Sequence, residues 1–198
     1  RDQSADGYAG RIAEKKRMLD ALLAVGEEGL SAEEDIDRRL LIGILRADIN
    51  TGQTLRRWEN DPSLYLPGSG LDRLLESAAS GDAESRDQLL AMLATLPKNF
   101  DHGRASLKRP PERFTRAAIF QAENRLKALD EGMENLAGLS AEQLAAAQSA
   151  RAAFAAYLAF LEEDLLPRSD GSWALGRPAY DFILQQRWHM DSDADRIH

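Results

Sequence analysis

The chain has 198 residues, enough for one large domain or two small ones, and it can bury a core without disulfide or metal staples. Its 33 acidic and 25 basic side chains leave a net charge of −8, which excludes a general nucleic-acid binder or an anionic-lipid docking module, both of which need a basic face. With no cysteine there is no disulfide, thiolate metal site or cysteine nucleophile.

From Tyr8, the residues Tyr8, Ile12, Leu19, Leu22 and Leu23 recur at helical spacing, and Gly26 and Gly29 close that helix. Ser31-Ala32-Glu33-Glu34 has the form of a capping box. The helix it opens carries Ile36, Leu40, Ile44, Ala47, Thr51, Leu55 and Trp58 along an expected inner face. Leu41 and Leu45 widen that stripe. Asn60-Asp61-Pro62 stops the helix, because proline lacks an amide and restricts its predecessor.

Residues 61–70 predict a loop packed down by Leu64, Tyr65 and Leu66. A short helix with Leu71, Leu74 and Leu75 ends at Ser80-Gly81, and Asp82 caps the next, which carries Leu89, Leu90, Leu93 and Leu96. Pro97 fits the first turn of a further helix with Phe100, Arg104 and Leu107 inside, broken by Arg109-Pro110-Pro111. Phe114, Ala118, Ala122, Leu126, Leu129, Met133 and Leu136 then form a sustained stripe closed by Gly138. Ser140-Ala141-Glu142-Gln143 is a second capping box. It opens a helix with Leu144, Ala147, Arg151, Phe154, Leu158, Leu161 and Leu165 on one side, stopped at Leu166-Pro167. Pro178 suits the first turn of a helix presenting Tyr180, Ile183, Leu184 and Trp188, and Ser192 to Asp195 begin one more.

The pattern predicts an all-α fold: a multi-helix bundle of long antiparallel helices with Pro/Gly-rich loops, and a turn at 168–175 that could hold one small hairpin. We read 1–198 as a single helical domain. The longest apolar run, Ala152 to Leu161, is well short of the ~18 residues of a membrane span. Beginning at Arg1 and ending within a helix start, the chain is expected to be a trimmed portion of a longer protein, so any export signal or lipid anchor would already be gone.

Chemistry-bearing motifs are sparse. His102, His189 and His198 share no i,i+4 pair, and no His-Glu-x-x-His run occurs, so neither a metal ligand nor a catalytic residue is assigned. Gly68-Ser69-Gly70 lacks the Walker spacing and lysine, and there is no Gly-x-Ser-x-Gly elbow. Acidic pairs such as Glu162-Glu163 suit a solvated face. Charge, aromatic rings and a turn converge at Arg57, Trp58 and Tyr65, and again at Arg177 and Tyr180. These five are candidates to face a cleft or ligand, although local packing of Trp58, Asp61 and Tyr65 would account for the same residues.

Those places also carry a family likeness. Leu-Ser-Ala-Glu at 30–33, Arg57-Trp58-Glu59-Asn60-Asp61-Pro62 with Tyr65, and Leu96-Pro97 with Leu107 and Pro110-Pro111 form its first part. Phe114-Thr115, Tyr157, Phe160-Leu161, Leu166-Pro167, Leu175-Gly176 and Tyr180 complete it. In order and spacing, over roughly residues 8 to 198, they resemble the N-terminal half of the bacterial family known as domain of unknown function 885, whose members are usually described as candidate zinc-dependent peptidases. The resemblance implies a helical fold around a long cleft. It places zinc, held by a His-Glu…Pro-Gly-His element, well downstream of these residues. It therefore implies an N-terminal scaffold forming one cleft wall, with no cofactor of its own and inactive alone. Its partners would be the absent C-terminal catalytic region and a peptide substrate, without nucleic acid or membrane span. The compartment is left open between exported or periplasmic and cytoplasmic. The alternative is a stand-alone helical module for protein–protein interaction.

Overall fold

The computed structural model describes residues 2–68, 70–135, 139–172 and 174–197. Among these residues every regular element is helical. They are α1 (Ala5–Ala24), α2 (Ala32–Leu55), α3 (Arg57–Asn60), a 3-10 turn (Pro62–Tyr65), α4 (Gly70–Ala79), α5 (Ala83–Ser106), α6 (Glu112–Glu134), α7 (Ala141–Phe160), α8 (Arg177–Arg187) and α9 (Ala194–Ile197). A π turn (Leu161–Leu165) and a 3-10 turn (Leu166–Arg168) continue α7. The fold is all-α, as the periodicity predicts. The hairpin that 168–175 could hold does not form among the described residues; instead Asp170 makes an isolated antiparallel bridge to Pro111.

Where the sequence reading treats 1–198 as one domain, contacts divide the chain into two compact units, one of Arg1–Ala5 and Trp58–Ser172, the other of Asp6–Arg57 and Trp173–His198. In the first unit, α5 packs chiefly on α7 and α4, and α6 packs on both α4 and α7. Arg151 grips Asp130 through two hydrogen bonds of 2.6 and 2.9 Å, and Thr115 meets Ser169, so α7 and its extension run antiparallel to α6. Phe100 contacts both Phe154 and Tyr157, and Gly103 faces Tyr157, so α5 and α7 run side by side in the same direction. The core between them is Leu89, Leu93, Leu96, Phe100, Leu129, Phe154, Tyr157, Leu161 and Leu165.

Pro97 does not start a helix. It lies inside the continuous α5, where a missing amide normally costs about 3 kcal/mol. Leu93, Leu96 and Phe100 are each buried against neighbouring helices, and their combined burial outweighs that defect. Residues Ala141–Arg168 form a helix long and apolar enough, by length and composition, to cross a membrane, more apolar overall than the run Ala152–Leu161 suggests. Here its inner face is committed to the bundle core through Phe154, Tyr157, Leu161 and Leu165.

In the second unit α1 and α2 form an antiparallel pair. Ile12 lies against Gly52, Lys15 bonds Asp48 at 2.5 Å, and the Arg38 guanidinium donates to the Leu22 carbonyl. α8 crosses α2 at Gly43, where an added Cβ would fall 2.2 Å from the Gln186 carbonyl oxygen. The buried positions of α2 are Ile42, Gly43, Ala47 and Ile49. Of the stripe expected to face inward, Ala47 is buried, but Ile36 (52% exposed), Leu40, Leu41 and Ile44 point to solvent. Close approach of α8 at Gly43 selects a face rotated from that stripe. α2 also ends at Leu55, before Trp58, because Arg56 takes a left-handed backbone conformation with φ 42°.

Both capping boxes form, Ser31 with Glu34 and Ser140 with Gln143, each with the two reciprocal bonds. Asp82 caps α5 through Ser85, and Pro178 occupies the first turn of α8. Leu136, Gly138, Trp173 and His198 lie outside the described residues.

Candidate functional site

The Trp-Glu-Asn-Asp-Pro segment is held by hydrogen bonds before any ligand is considered. Asp61 is buried and caps the 3-10 turn, accepting from the Ser63 amide at 3.1 Å and from the Ser63 hydroxyl at 2.5 Å. Tyr65 is 1% exposed, and its hydroxyl donates to the Trp58 carbonyl oxygen at 2.6 Å, closing the segment 58–65 on itself. From α7 the fully buried Tyr157 donates to the Pro62 carbonyl oxygen at 3.2 Å. Burial pushes the Tyr157 hydroxyl well above its ordinary range, with Tyr65 and Asp61 adding to the effect and Arg104 opposing it, so it is a fixed neutral donor.

α5 supplies the space for this arrangement. A Cβ on Gly103 would stand 2.9 Å from the Tyr65 ring and 3.0 Å from the Tyr157 hydroxyl. The Tyr157 ring stacks on Phe100 at a centroid distance of 4.6 Å, and the Arg104 guanidinium lies 5.9 Å above it. Glu59 fixes the outer edge: its carbonyl accepts from the Lys108 amide at 3.1 Å, and its carboxylate accepts from the Lys108 ammonium at 3.0 Å.

A second seam joins the segment after α5 to the end of the α7 extension. Arg109 and Asp170 form a bidentate ion pair, and the Gly171 amide donates to the Pro110 carbonyl oxygen at 3.2 Å. The hydrogen bonds from Arg109 hold the Asp170 carboxyl below its ordinary range. Beneath them Ser169 donates to the Leu165 carbonyl oxygen at 2.7 Å, so the buried Thr115 hydroxyl must be the donor in its own 2.7 Å contact with Ser169. Arg168 reaches the Leu107 and Lys108 carbonyl oxygens and also binds Asp164.

The five candidate residues fall into separate settings. In the first unit Trp58 is half-buried and Tyr65 wholly buried, and the hydrogen bond above joins them. In the second, Arg57 is exposed at the start of α3. Arg177 begins α8 and pairs with Asp181 at 3.5 Å and with Asp195, whose hydrogen bond raises the guanidinium pKa. Asp181 in turn accepts from the Ala194 amide at 2.8 Å, so Arg177 helps tie α9 to α8. Tyr180 is 40% exposed.

Sequence reading missed Gly103 and the Tyr157 hydroxyl, the two groups that seat the loop. The phase of α5 and α7 relative to one another decides both, and no local motif records it. Among the described residues no group of three or more His, Cys, Asp or Glu side chains could hold a metal ion.

A solved structure from Shewanella oneidensis, described as a candidate lipoprotein of unknown function, superposes on 98% of this chain with a TM-score of 0.75 at 18% identity, which shows a shared fold. The chain covers only 37% of that protein's length. No curated protein matches the sequence. The model of a family described as bacterial protein of unknown function (DUF885) matches residues 1–198 throughout, and the chain therefore belongs to that family.

Proposed function

We propose that this chain is the helical scaffold and cleft wall of a larger zinc metallopeptidase-like protein, and that the catalytic element lies elsewhere in the polypeptide. The observation that supports a part within a longer protein is the coverage: one fold matches this chain along 98% of its length and only 37% of a much longer structural neighbour; the peptidase class rests on the family resemblance alone. The loop locked by Tyr65, Tyr157 and Asp61 is consistent with a preorganised wall, since its backbone is fixed without any ligand. The description of the neighbour as a candidate lipoprotein supports an exported location for the larger protein.

The test compares residues 1–198 with the longer protein for bound zinc, by elemental analysis, and for cleavage of a fluorogenic peptide library. Zinc and cleavage are expected in the longer protein alone. Stoichiometric zinc on residues 1–198 would overturn the reading.

A stand-alone interaction module is favoured by a different observation, the exposed apolar stripe Ile36, Leu40, Leu41 and Ile44 on α2. Sedimentation of residues 1–198 separates the readings. A stable dimer dispersed by Ile44→Glu supports the module, and a monomer with a silent stripe supports the scaffold.

A further inference from the structure

In an Asp-Gly pair the aspartyl side chain can turn on its own backbone. Glycine leaves the following amide nitrogen unshielded, and its conformational freedom lets that nitrogen reach the aspartyl Cγ. The chain contains the pair twice, as Asp6-Gly7 in the first turn of α1 and as Asp170-Gly171 in the seam beside Pro110. The second pair lies in the first compact unit, together with Arg109 and Pro110.

The seam itself imposes that second pair. A Cβ on residue 171 would stand 2.0 Å from the Arg109 carbonyl oxygen, so the two backbones approach only because glycine is there. At residue 170 both carboxylate oxygens receive the Arg109 guanidinium, Oδ1 from Nε at 2.6 Å. The same contacts keep the pair unreactive. The Gly171 amide proton is committed to the Pro110 carbonyl oxygen at 3.2 Å, and the Asp170 amide donates to the Arg168 carbonyl oxygen at 3.1 Å. Cyclisation runs through the protonated carboxyl, and the hydrogen bonds from Arg109 favour the charged form instead. Yet the clasp is shallow. Arg109 and Asp170 are 71% and 55% exposed, and an ion pair in solvent holds weakly, so the seam opens locally at far lower cost than the core.

We infer that Asp170-Gly171 is a site of spontaneous covalent modification, aspartate to isoaspartate, which the clasp of Arg109 and Pro110 holds closed. When the clasp opens, the Gly171 nitrogen bonds to the Asp170 Cγ, and the carboxyl hydroxyl leaves as water with the amide proton. The succinimide then takes up water at either ring carbonyl. Opening at one restores aspartate; opening at the other routes the main chain through the side-chain carbon. The product has one extra backbone carbon and a carboxylate one carbon shorter, with no net change in mass. It cannot rebuild both the Arg109 pair and the bridge to Pro111 in their present geometry, so the modification is a one-way record that the seam has opened. The site is independent of any peptidase reading of the larger protein.

The test incubates the chain at neutral pH with and without urea and locates isoaspartate by electron-transfer fragmentation of its tryptic peptides, which separates it from aspartate of equal mass. Asp6-Gly7 in the same digest is the internal reference, and the amide NMR spectrum verifies that each variant is folded. In urea Asp170 is expected to isomerise about as fast as Asp6. In the native parent it should be several-fold slower than in urea. Arg109→Met should recover much of that difference without changing Asp6, and Arg109→Lys, which keeps the charge but not the fork, should fall between. Asp170→Glu should abolish the product. No isoaspartate at residue 170 even in urea would overturn the site. A native rate equal to the rate in urea, or an Arg109→Met rate equal to the parent's, would overturn the clasp. Equal acceleration at Asp6 and Asp170 in Arg109→Met would show general unfolding and overturn the local role of Arg109.

Discussion

The Tyr157 hydroxyl reaches the Pro62 carbonyl oxygen across 95 residues of sequence, at 3.2 Å and out of contact with solvent. Tyr157→Phe keeps the ring and its stacking on Phe100 but removes the bond from α7 to the turn. The expected loss is about 1–2 kcal/mol, read by denaturant unfolding. Tyr65→Phe should cost a similar amount, and the double variant should show coupling, because both bonds hold the same loop.

Two glycine substitutions should have opposite signs. Gly103→Ala drives a methyl group to 2.9 Å from the Tyr65 ring and 3.0 Å from the Tyr157 hydroxyl, an overpacking expected to cost about 1–3 kcal/mol. Gly10→Ala, inside α1 with nothing within 4 Å of the new methyl, should raise stability by about 0.5–1 kcal/mol. Thermal unfolding of the two variants reads both effects, and equal signs would contradict the packing described.

At the buried hydroxyl pair the two partners should not be equivalent. Thr115→Val leaves Ser169 donating to Leu165 and should cost about 1 kcal/mol. Ser169→Ala leaves both the Thr115 hydroxyl and the Leu165 carbonyl with a lost partner, and should cost about 1–3 kcal/mol. The same unfolding assay ranks them.

The Asp170 carboxyl titrates below its ordinary range because Arg109 binds its charged form. In the unfolded chain it returns to the ordinary value. The pair therefore adds stability above the ordinary carboxylate range, and the contribution fades as pH falls through the folded value. Arg109→Met should raise the Asp170 midpoint, followed by NMR. The stability gap between variant and parent should close on acidification; a gap that widened would show the wrong sign. Both side chains are exposed, so the effect is small and weakens with salt.

The exposed stripe of α2 makes a further contrast. Leu93→Ala in the core should cost about 2–5 kcal/mol, whereas Ile36→Ala should stay within about 0.5 kcal/mol. Comparable losses at the two positions would place Ile36 in a core.

Helix ends were the most legible features of the sequence. Ser31, Asp82 and Ser140 each bond an amide within three residues, so the signal and its consequence are both local. Which face of a helix is buried was less legible. On α2 both flanks carry apolar residues, and the choice fell to Gly43, where α8 can approach because no side chain intervenes. Pro97 misled for a related reason: its local penalty is real, but the long-range burial of Leu93 and Phe100 overrules it. Among the candidate residues, an aromatic beside a turn does not reveal whether its ring points out or in. Tyr65 points in because Gly103, 38 positions further along the chain, leaves room for it.

The π turn at Leu161–Leu165, closed by a bond from the Leu166 amide to the Leu161 carbonyl, makes the placement of Ser169 a matter of counting. The turn takes up one residue more than an ordinary α-helix would over nearly the same sweep, so deleting one residue there would let it relax to α-helix and leave the segment beyond it facing as before. Ser169 would then stay at Thr115, and Asp170 at Arg109. The same deletion a turn earlier, within the α-helical part of α7, would instead rotate everything beyond it by about 100° and part both pairs.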